Sequence, residues 1–387
     1  MRDLTLSNRA VVRRRVLAGL AATPAALVLA GGALASPASA GGRRPGRRSA
    51  EPPRVVSAAP HPELTSAFAA YGDSGEGWTG ADSTYSFRLP GGRHLWMFSD
   101  TFLGTVNPDG SRPPDSPIVN NTFIVQRGAD MTTIHGGTPE EPEAVLVAGP
   151  NQWYWLGGGY LGGGAVNIMF IRFERTGPGM WDWVWRDNLL ARFDPRDLSL
   201  LSTHPMPSAA GITWSSWLTR DGRYTYVYGT EDLSSVKYMH VARVAGDDLR
   251  EPWEFFDGSG WSPNEQDSAR IMAGVANEYS VTRWRGRYLL VTHDTNVLFS
   301  NEILGYVSDS PTGPFESPTV LYRTPETGAA GSYGDPNVIT YNSHEHPDLR
   351  RGDRLLITYN VNSLDFQGVL DDVTKYRPRF IEVTLEP

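Results

Sequence analysis

The sequence predicts an all-β fold, a five-bladed β-propeller, on three observations. A phrase made of a Gly turn, an Arg, a β-rich run and a polar end recurs as GGRHLWMFSD, DGRYTYVYGT, RGRYLLVTHD and RGDRLLITYN. Its polar ends fall at Asp100, Glu231, Asp294 and Asn360, spaced 131, 63 and 66 residues apart, so a degenerate copy belongs near residue 165, where GGGAVNIMFIRFE stands. Helical periodicity is hard to find beyond the N-terminal region, and short apolar runs bounded by Gly and Pro take its place. A unit of about 65 residues with two clear and two weaker strands makes one four-stranded blade, and five such units fit the chain. A pair of β-sandwiches is the alternative, but it would not repeat one hairpin phrase five times.

Residues 1–40 have a basic start, an apolar middle and Ala38-Ser39-Ala40, the pattern of a cleaved secretory signal rather than a membrane span. Arg13-Arg14 followed by Val16-Leu17 resembles a twin-arginine signal, which exports folded proteins; an ordinary secretory signal is the alternative. Either one predicts a secreted, extracellular protein. Residues 41–50, GGRRPGRRSA, read as a flexible basic lead, and residues 51–387 as one propeller domain. The blade that begins near Tyr333 has no evident fourth strand. The segment around Arg54–Ser57 is expected to supply it and close the ring.

Without residues 1–40 the chain carries a net charge of about −12. An acidic chain with no basic stripe argues against nucleic acid and anionic membrane surfaces as partners. No other segment is apolar enough to span a bilayer. With no cysteine, stability must come from burial rather than disulfides. A monomer is expected.

The opening hairpin, GWTGADSTYSFRLPGGRHLWMFSDTF (77–102), places Asp82 before one strand and Asp100 after the next. Opposed residues of an antiparallel pair lie about 4.5–5.5 Å apart, so the two carboxylates should be neighbours at the channel mouth. A two-residue loop would put them on opposite faces, and a three-residue loop on one face. Two crowded carboxylates ionise unequally, which supplies an acid and a base from one residue type, as glycoside hydrolysis needs. The structural alternative is that both cap Asx-turns. Glu278, in ANEYSV, is the reserve acid.

The remaining blades should aim Trp78, Asn121, Trp214, Asp294, Asp335 and Asn360 at the same mouth as substrate-binding residues, with Asn120 and one of Trp153, Tyr154 or Trp155 as further candidates. Amides and acids bind sugar hydroxyls, and flat rings stack on sugar C–H faces. No organic cofactor and no metal site is implied; a channel cation, if present, would face His293. His344 and His346, in NSHEHPDL, match no tight zinc spacing and read as part of a surface loop. GGGYLGGG lacks the Lys and Ser/Thr of a phosphate loop and reads as a wide turn.

The stretches WTGADSTYSFRLPGGRHLWMFSDTFLG, EYSVTRWRGRYLLVTHD and LLITYNVNS resemble glycoside hydrolase family 183, the secreted actinobacterial endo-D-arabinanases. The resemblance implies a five-bladed propeller acting on α-linked D-arabinofuranose chains of mycobacterial-type cell walls, with Asp82 and Asp100 at the catalytic positions. The expected function is therefore a secreted glycoside hydrolase with a polysaccharide substrate. A non-catalytic, lectin-like propeller and a polysaccharide lyase are the alternatives.

Overall fold

The structure is a computed structural model that describes residues 51–179 and 182–386, so the signal and the basic lead, residues 1–50, lie outside the described residues. The chain is all-β and propeller-like. Four sheets have four strands each and one has six. The first sheet comprises Tyr85–Leu89, Arg93–Phe98, Thr122–Arg127 and Asp130–Ile134. The second comprises Gln152–Gly162, Ala165–Arg175, Trp183–Phe193 and Leu200–Met206. The third is built on Thr213–Asp221, Tyr224–Asp232, Lys237–Ala245 and Trp253–Phe256. The fourth comprises Tyr279–Trp284, Arg287–His293, Glu302–Ser308 and Glu316–Arg323. The fifth holds Val338–Glu345, Arg354–Ser363, Pro378–Glu386 and, on its outer edge, Arg54–Pro60.

Each copy of the repeated phrase, the degenerate one included, is the second strand of a sheet. Arg54–Pro60 runs antiparallel to Pro378–Glu386, with Arg54 opposite Glu386, so the two ends of the described chain share one sheet.

The first strands of the sheets neighbour one another. The Tyr85 hydroxyl donates to the Ser216 carbonyl at 3.0 Å, Thr282 Oγ1 donates to Glu345 Oε2 at 2.5 Å, and Ser86 Oγ lies 2.6 Å from His346 Nδ1. Tyr85 stacks on His344 with centroids 4.4 Å apart, and Trp217 packs beside them. These rings fill the centre. A cavity of about 330 Å³, lined by Phe87, Gly159, Trp217, Arg220 and Arg283 among others, lies towards the ends of the first strands.

Two features depart from the expected pattern. A helix, Pro62–Asp73, precedes the first sheet, with Pro at its start and the His61 side chain accepting from the Leu64 N–H. Its apolar stripe is thin: Phe68 is its one large buried side chain, wedged among Trp78, Trp96, Phe98 and Phe380. The second departure is a small sheet of Gly77–Ala81, Thr101–Gly104 and Ile118–Val119, which carries the opening hairpin past its aspartates.

Deleting residues 51–60 would strip the outer strand of the fifth sheet and leave Pro378–Glu386 as an unpaired edge. The expected result is an unfolding midpoint lower by roughly 5 °C or more, with aggregates on size exclusion. An unchanged midpoint would show that the strand is dispensable.

Candidate active site

The register of the opening hairpin sets its two aspartates face to face. Pro90–Gly92 forms a three-residue turn, and Tyr85 pairs with Met97 through to Leu89 with Arg93. The Asp82 N–H donates to the Asp100 carbonyl, and the Ser99 N–H to the Asp82 carbonyl, both at 3.2 Å. Of the two loops the sequence allowed, the three-residue one is found. The aspartates do not sit at open strand ends, however, because Gly77–Ala81 and Thr101–Gly104 continue the pairing beyond them. They mark the junction of two sheets.

Ser83 and Thr84 make that junction, with φ of 70° and 66°. A β-branched residue in the left-handed region costs on the order of 1–3 kcal/mol and persists only when its surroundings enforce it. Here Asn360 Nδ2 donates to Thr84 Oγ1 at 3.1 Å, and His344 Nε2 lies 3.1 Å from the Thr84 carbonyl. Because a carbonyl only accepts, Nε2 carries the proton. On the other side of the junction, Gly80 lets the backbone of Tyr376 approach: a Cβ there would lie 2.2 Å from the Tyr376 carbonyl oxygen.

Glu278 joins the two aspartates. Its Oε1 accepts from Ser83 Oγ at 2.7 Å and from Asn342 Nδ2 at 3.0 Å, and its Oε2 lies 4.0 Å from His344 Nδ1. Asp100 Oδ1 accepts from Trp155 Nε1 at 2.8 Å and Asn120 Nδ2 at 2.9 Å. Asp82 Oδ2 accepts from the Tyr341 hydroxyl at 3.3 Å. The second oxygen of each acid, Asp82 Oδ1, Asp100 Oδ2 and Glu278 Oε2, is buried with no hydrogen-bond partner, as is His344 Nδ1.

Burial dominates the electrostatics. Desolvation raises Asp82 well above the usual carboxylate range, and the charges of Asp100 and Glu278 push it further. Desolvation lifts Asp100 to about 7 against the opposing bonds from Asn120 and Trp155, and lifts Glu278 to about 8 against that from Ser83. Burial lowers His344 to about 4, so its ring is neutral. Asp82 and Asp100 thus titrate as a pair, with the two N–H donors favouring charge on Asp100. Glu278 is neutral at pH 7 and the least buried of the three acids, with 15% of its side chain exposed although its free oxygen is enclosed.

The other predicted residues serve different ends. Trp78 and Trp214 are fully buried rather than open to a sugar. Trp78 lies in the small sheet under the Pro62–Asp73 helix; Trp214 packs on Phe255 and donates from Nε1 to Glu265 Oε1 at 2.9 Å. Asn121 is also buried, spending its amide on the Leu146 and Tyr154 carbonyls. Asp294 caps the turn to Asn296, and Asp335 pairs with Lys375 at 2.8 Å. Asn360 is buried and supports the Ser83–Thr84 junction instead of binding substrate. His344 and His346 belong to no surface loop: both are buried. His293 has both nitrogens engaged, by Ser343 Oγ at 2.8 Å and the Ser300 carbonyl at 2.7 Å, which leaves neither for a cation. No group of three His, Asp or Glu side chains suited to a metal ion occurs among the described residues.

Sequence reading missed Ser83, Tyr341, Asn342 and His344. The signal for Ser83 was the polar Asp-Ser-Thr run between two strand patterns; the others lie on one strand, Val338–Glu345, whose polar composition hid it.

A family profile described as "Domain of unknown function (DUF5005)" matches residues 65–385. The chain belongs to the DUF5005 family. No curated protein matches it. The DUF5005 chain is similar to a solved structure of a candidate hydrolase from Bacteroides ovatus ATCC 8483, with 19% identity over 84% of this chain and 90% of that one and a TM-score of 0.71, a likeness of fold. More distant similarities include the α-L-arabinofuranosidase PaAbf62A from Podospora anserina, with 10% identity, 81% and 93% coverage and a TM-score of 0.45. Another is the GH43_1 enzyme from Xanthomonas citri complexed with xylose, with 15% identity, 84% and 93% coverage and a TM-score of 0.45. No helix among the described residues is long and apolar enough to cross a membrane.

The raised value of Glu278 has a signed consequence. The folded protein holds this proton more tightly than the unfolded chain, so its contribution to stability is complete below the ordinary carboxyl value and is lost as pH rises through about 8. The thermal midpoint of the wild type should fall between pH 5 and pH 8.5. Glu278→Gln, which keeps the shape without the charge, should flatten that slope in a calorimetric pH series; parallel slopes would place the titration elsewhere.

Proposed function

We propose that this chain is an exported glycoside hydrolase that cleaves furanosidic polysaccharide, and that its five sheets are the blades of one propeller with the acid cluster at its mouth. The observation that carries the reading is the cluster itself: three buried carboxyl groups on the first and fourth sheets, each with one oxygen that no protein group satisfies. Such a site holds protons unequally, the condition for acid–base cleavage of a glycosidic bond. Glu278 is the proton donor to the leaving oxygen. The Asp82–Asp100 pair supplies the carboxylate that activates water or attacks the anomeric carbon. Trp155 and Asn120 hold the charge of that pair, and Ser83 and Asn342 fix the donor.

The resemblance of the opening hairpin and LLITYNVNS to family 183 points to α-D-arabinofuranosyl linkages of mycobacterial-type arabinogalactan. Export by the twin-arginine signal would deliver the enzyme to such a substrate.

The roles separate by leaving group. Glu278→Gln should lose about 10²–10⁴-fold in kcat/KM on arabinogalactan, followed by reducing-end release, while keeping most of its rate on a dinitrophenyl arabinofuranoside, whose leaving group needs no proton. Asp100→Asn, which removes the carboxylate that Trp155 and Asn120 hold, should lose both activities. Equal loss by both variants on both substrates would contradict the assignment. Absence of arabinogalactan cleavage by the wild type would remove D-arabinan as the substrate.

A further inference from the structure

The second sheet differs from its neighbours where it passes the acid cluster. Its first three strands have 11 residues each, against 5 and 6 for the first two strands of the first sheet and 9 each for those of the third. Gly157 marks the rim: it lies so close to the start of the third sheet that a Cβ would meet the Ser215 carbonyl oxygen at 2.1 Å. The strand ends bearing Gln152–Leu156, Ile171–Arg175 and Trp183–Asp187 are paired together on the acid side of that point.

On this extension Trp153, Trp155 and Trp183 gather around Phe173. Trp155 lies 4.5 Å from Phe173, 5.7 Å from Trp183 and 5.8 Å from Trp153. All three indoles are half-buried, Trp153 with one face stacked on Phe173. The cluster is tied to the acids directly, because the Trp155 indole is the group that donates to Asp100. Two cations of the extension are paired locally, Arg172 with Asp187 and Arg186 with Glu174, while the Arg175 guanidinium lies over the Trp153 ring, 5.5 Å from its centroid. The loop after the second strand of the fourth sheet also carries exposed apolar side chains, Val297 at 60% and Leu298 at 65%.

We infer that this aromatic wall is a binding subsite for a neutral glycan chain, holding sugar rings outside the cleaved bond by stacking them on Trp153 and Trp183. The part of these half-buried indoles that reaches the surface, beside a set of buried acids, offers the apolar contact that sugar C–H surfaces need, and the paired charges select a neutral chain over an acidic one. The wall places a long segment of polymer across the mouth, which suits cleavage within a chain. The inference rests on the hydrolase reading only for where the bond is cut.

The test uses the whole exported chain in gels containing arabinogalactan, L-arabinan or arabinoxylan. Wild type should be retarded in at least one gel. Trp153→Ala and Trp183→Ala should weaken that binding by roughly five- to twentyfold, and Trp153→Phe should keep most of it. On a polymer that is cleaved, KM should rise by the same factor while kcat on a short aryl glycoside stays unchanged. Should an alanine variant not fold, oxidation of wild-type tryptophans by N-bromosuccinimide, mapped by mass spectrometry, should show Trp153 and Trp183 protected by the retained polymer. Failure of wild type to bind any of the three polymers, equal binding by the alanine variants, or absence of protection would each overturn the subsite. Retention that depends on Trp153 but yields no product would keep the subsite and overturn the hydrolase reading.

Discussion

Three carboxyl groups share a pocket from which water is largely excluded, and they cannot all be charged there. Asp82, Asp100 and Glu278 come from two sheets, and the desolvation of each outweighs the hydrogen bonds it receives. That mutual constraint explains the local structure around them. The left-handed Ser83–Thr84 junction brings Asp82 against Asp100 and aims Ser83 at Glu278; His344 and Asn360 hold the junction from the fifth sheet, and Asn342 of the same sheet holds Glu278. Ser83, Thr84 and Asn342, all at the acids, hold positive φ, a backbone cost of the kind that functional sites retain.

The remaining architecture serves to hold that pocket rigid. The opening hairpin is anchored beyond the acids by the small sheet, by the Phe68–Trp78–Trp96 cluster beneath the helix, and by Arg112, a buried guanidinium that donates to the Val369 and Thr79 carbonyls at 2.6 and 3.2 Å. Between the first strands, Tyr85 and His344 stack. The aromatic wall of the second sheet stands beside the acids and is joined to them by the bond from Trp155 to Asp100.

Much of this was legible in the sequence. The repeated phrase located every second strand because alternating apolar residues between Gly turns leave few other choices. The orphan fourth strand of the last sheet pointed to Arg54–Ser57, and the paired strand is there. The adjacency of Asp82 and Asp100 followed from symmetry about the Pro90–Gly92 turn, although composition could not select the turn length. What failed was the side-chain environment. Trp78 and Trp214 have the same local pattern as a rim aromatic, and only long-range packing, against Phe68 in one case and Phe255 in the other, decides that they are core. His344 and His346 read as loop residues because their neighbours are polar, yet those neighbours are satisfied by residues at or in the fourth sheet: Asn342 by Glu278, Ser343 by His293 and Glu345 by Thr282. The helix was obscured for the opposite reason: it buries one large side chain and so carries almost no periodic signal.

The cluster keeps a proton on Glu278 at neutral pH. A titration followed by carbon-13 NMR of the side-chain carboxyl signals, in wild type and in Glu278→Gln, tests this. A carboxyl resonance with a midpoint near 8 is expected in the wild type and not in the variant. Titration of every carboxyl below about pH 5, within the ordinary range, would contradict it and with it the assignment of Glu278 as the acid.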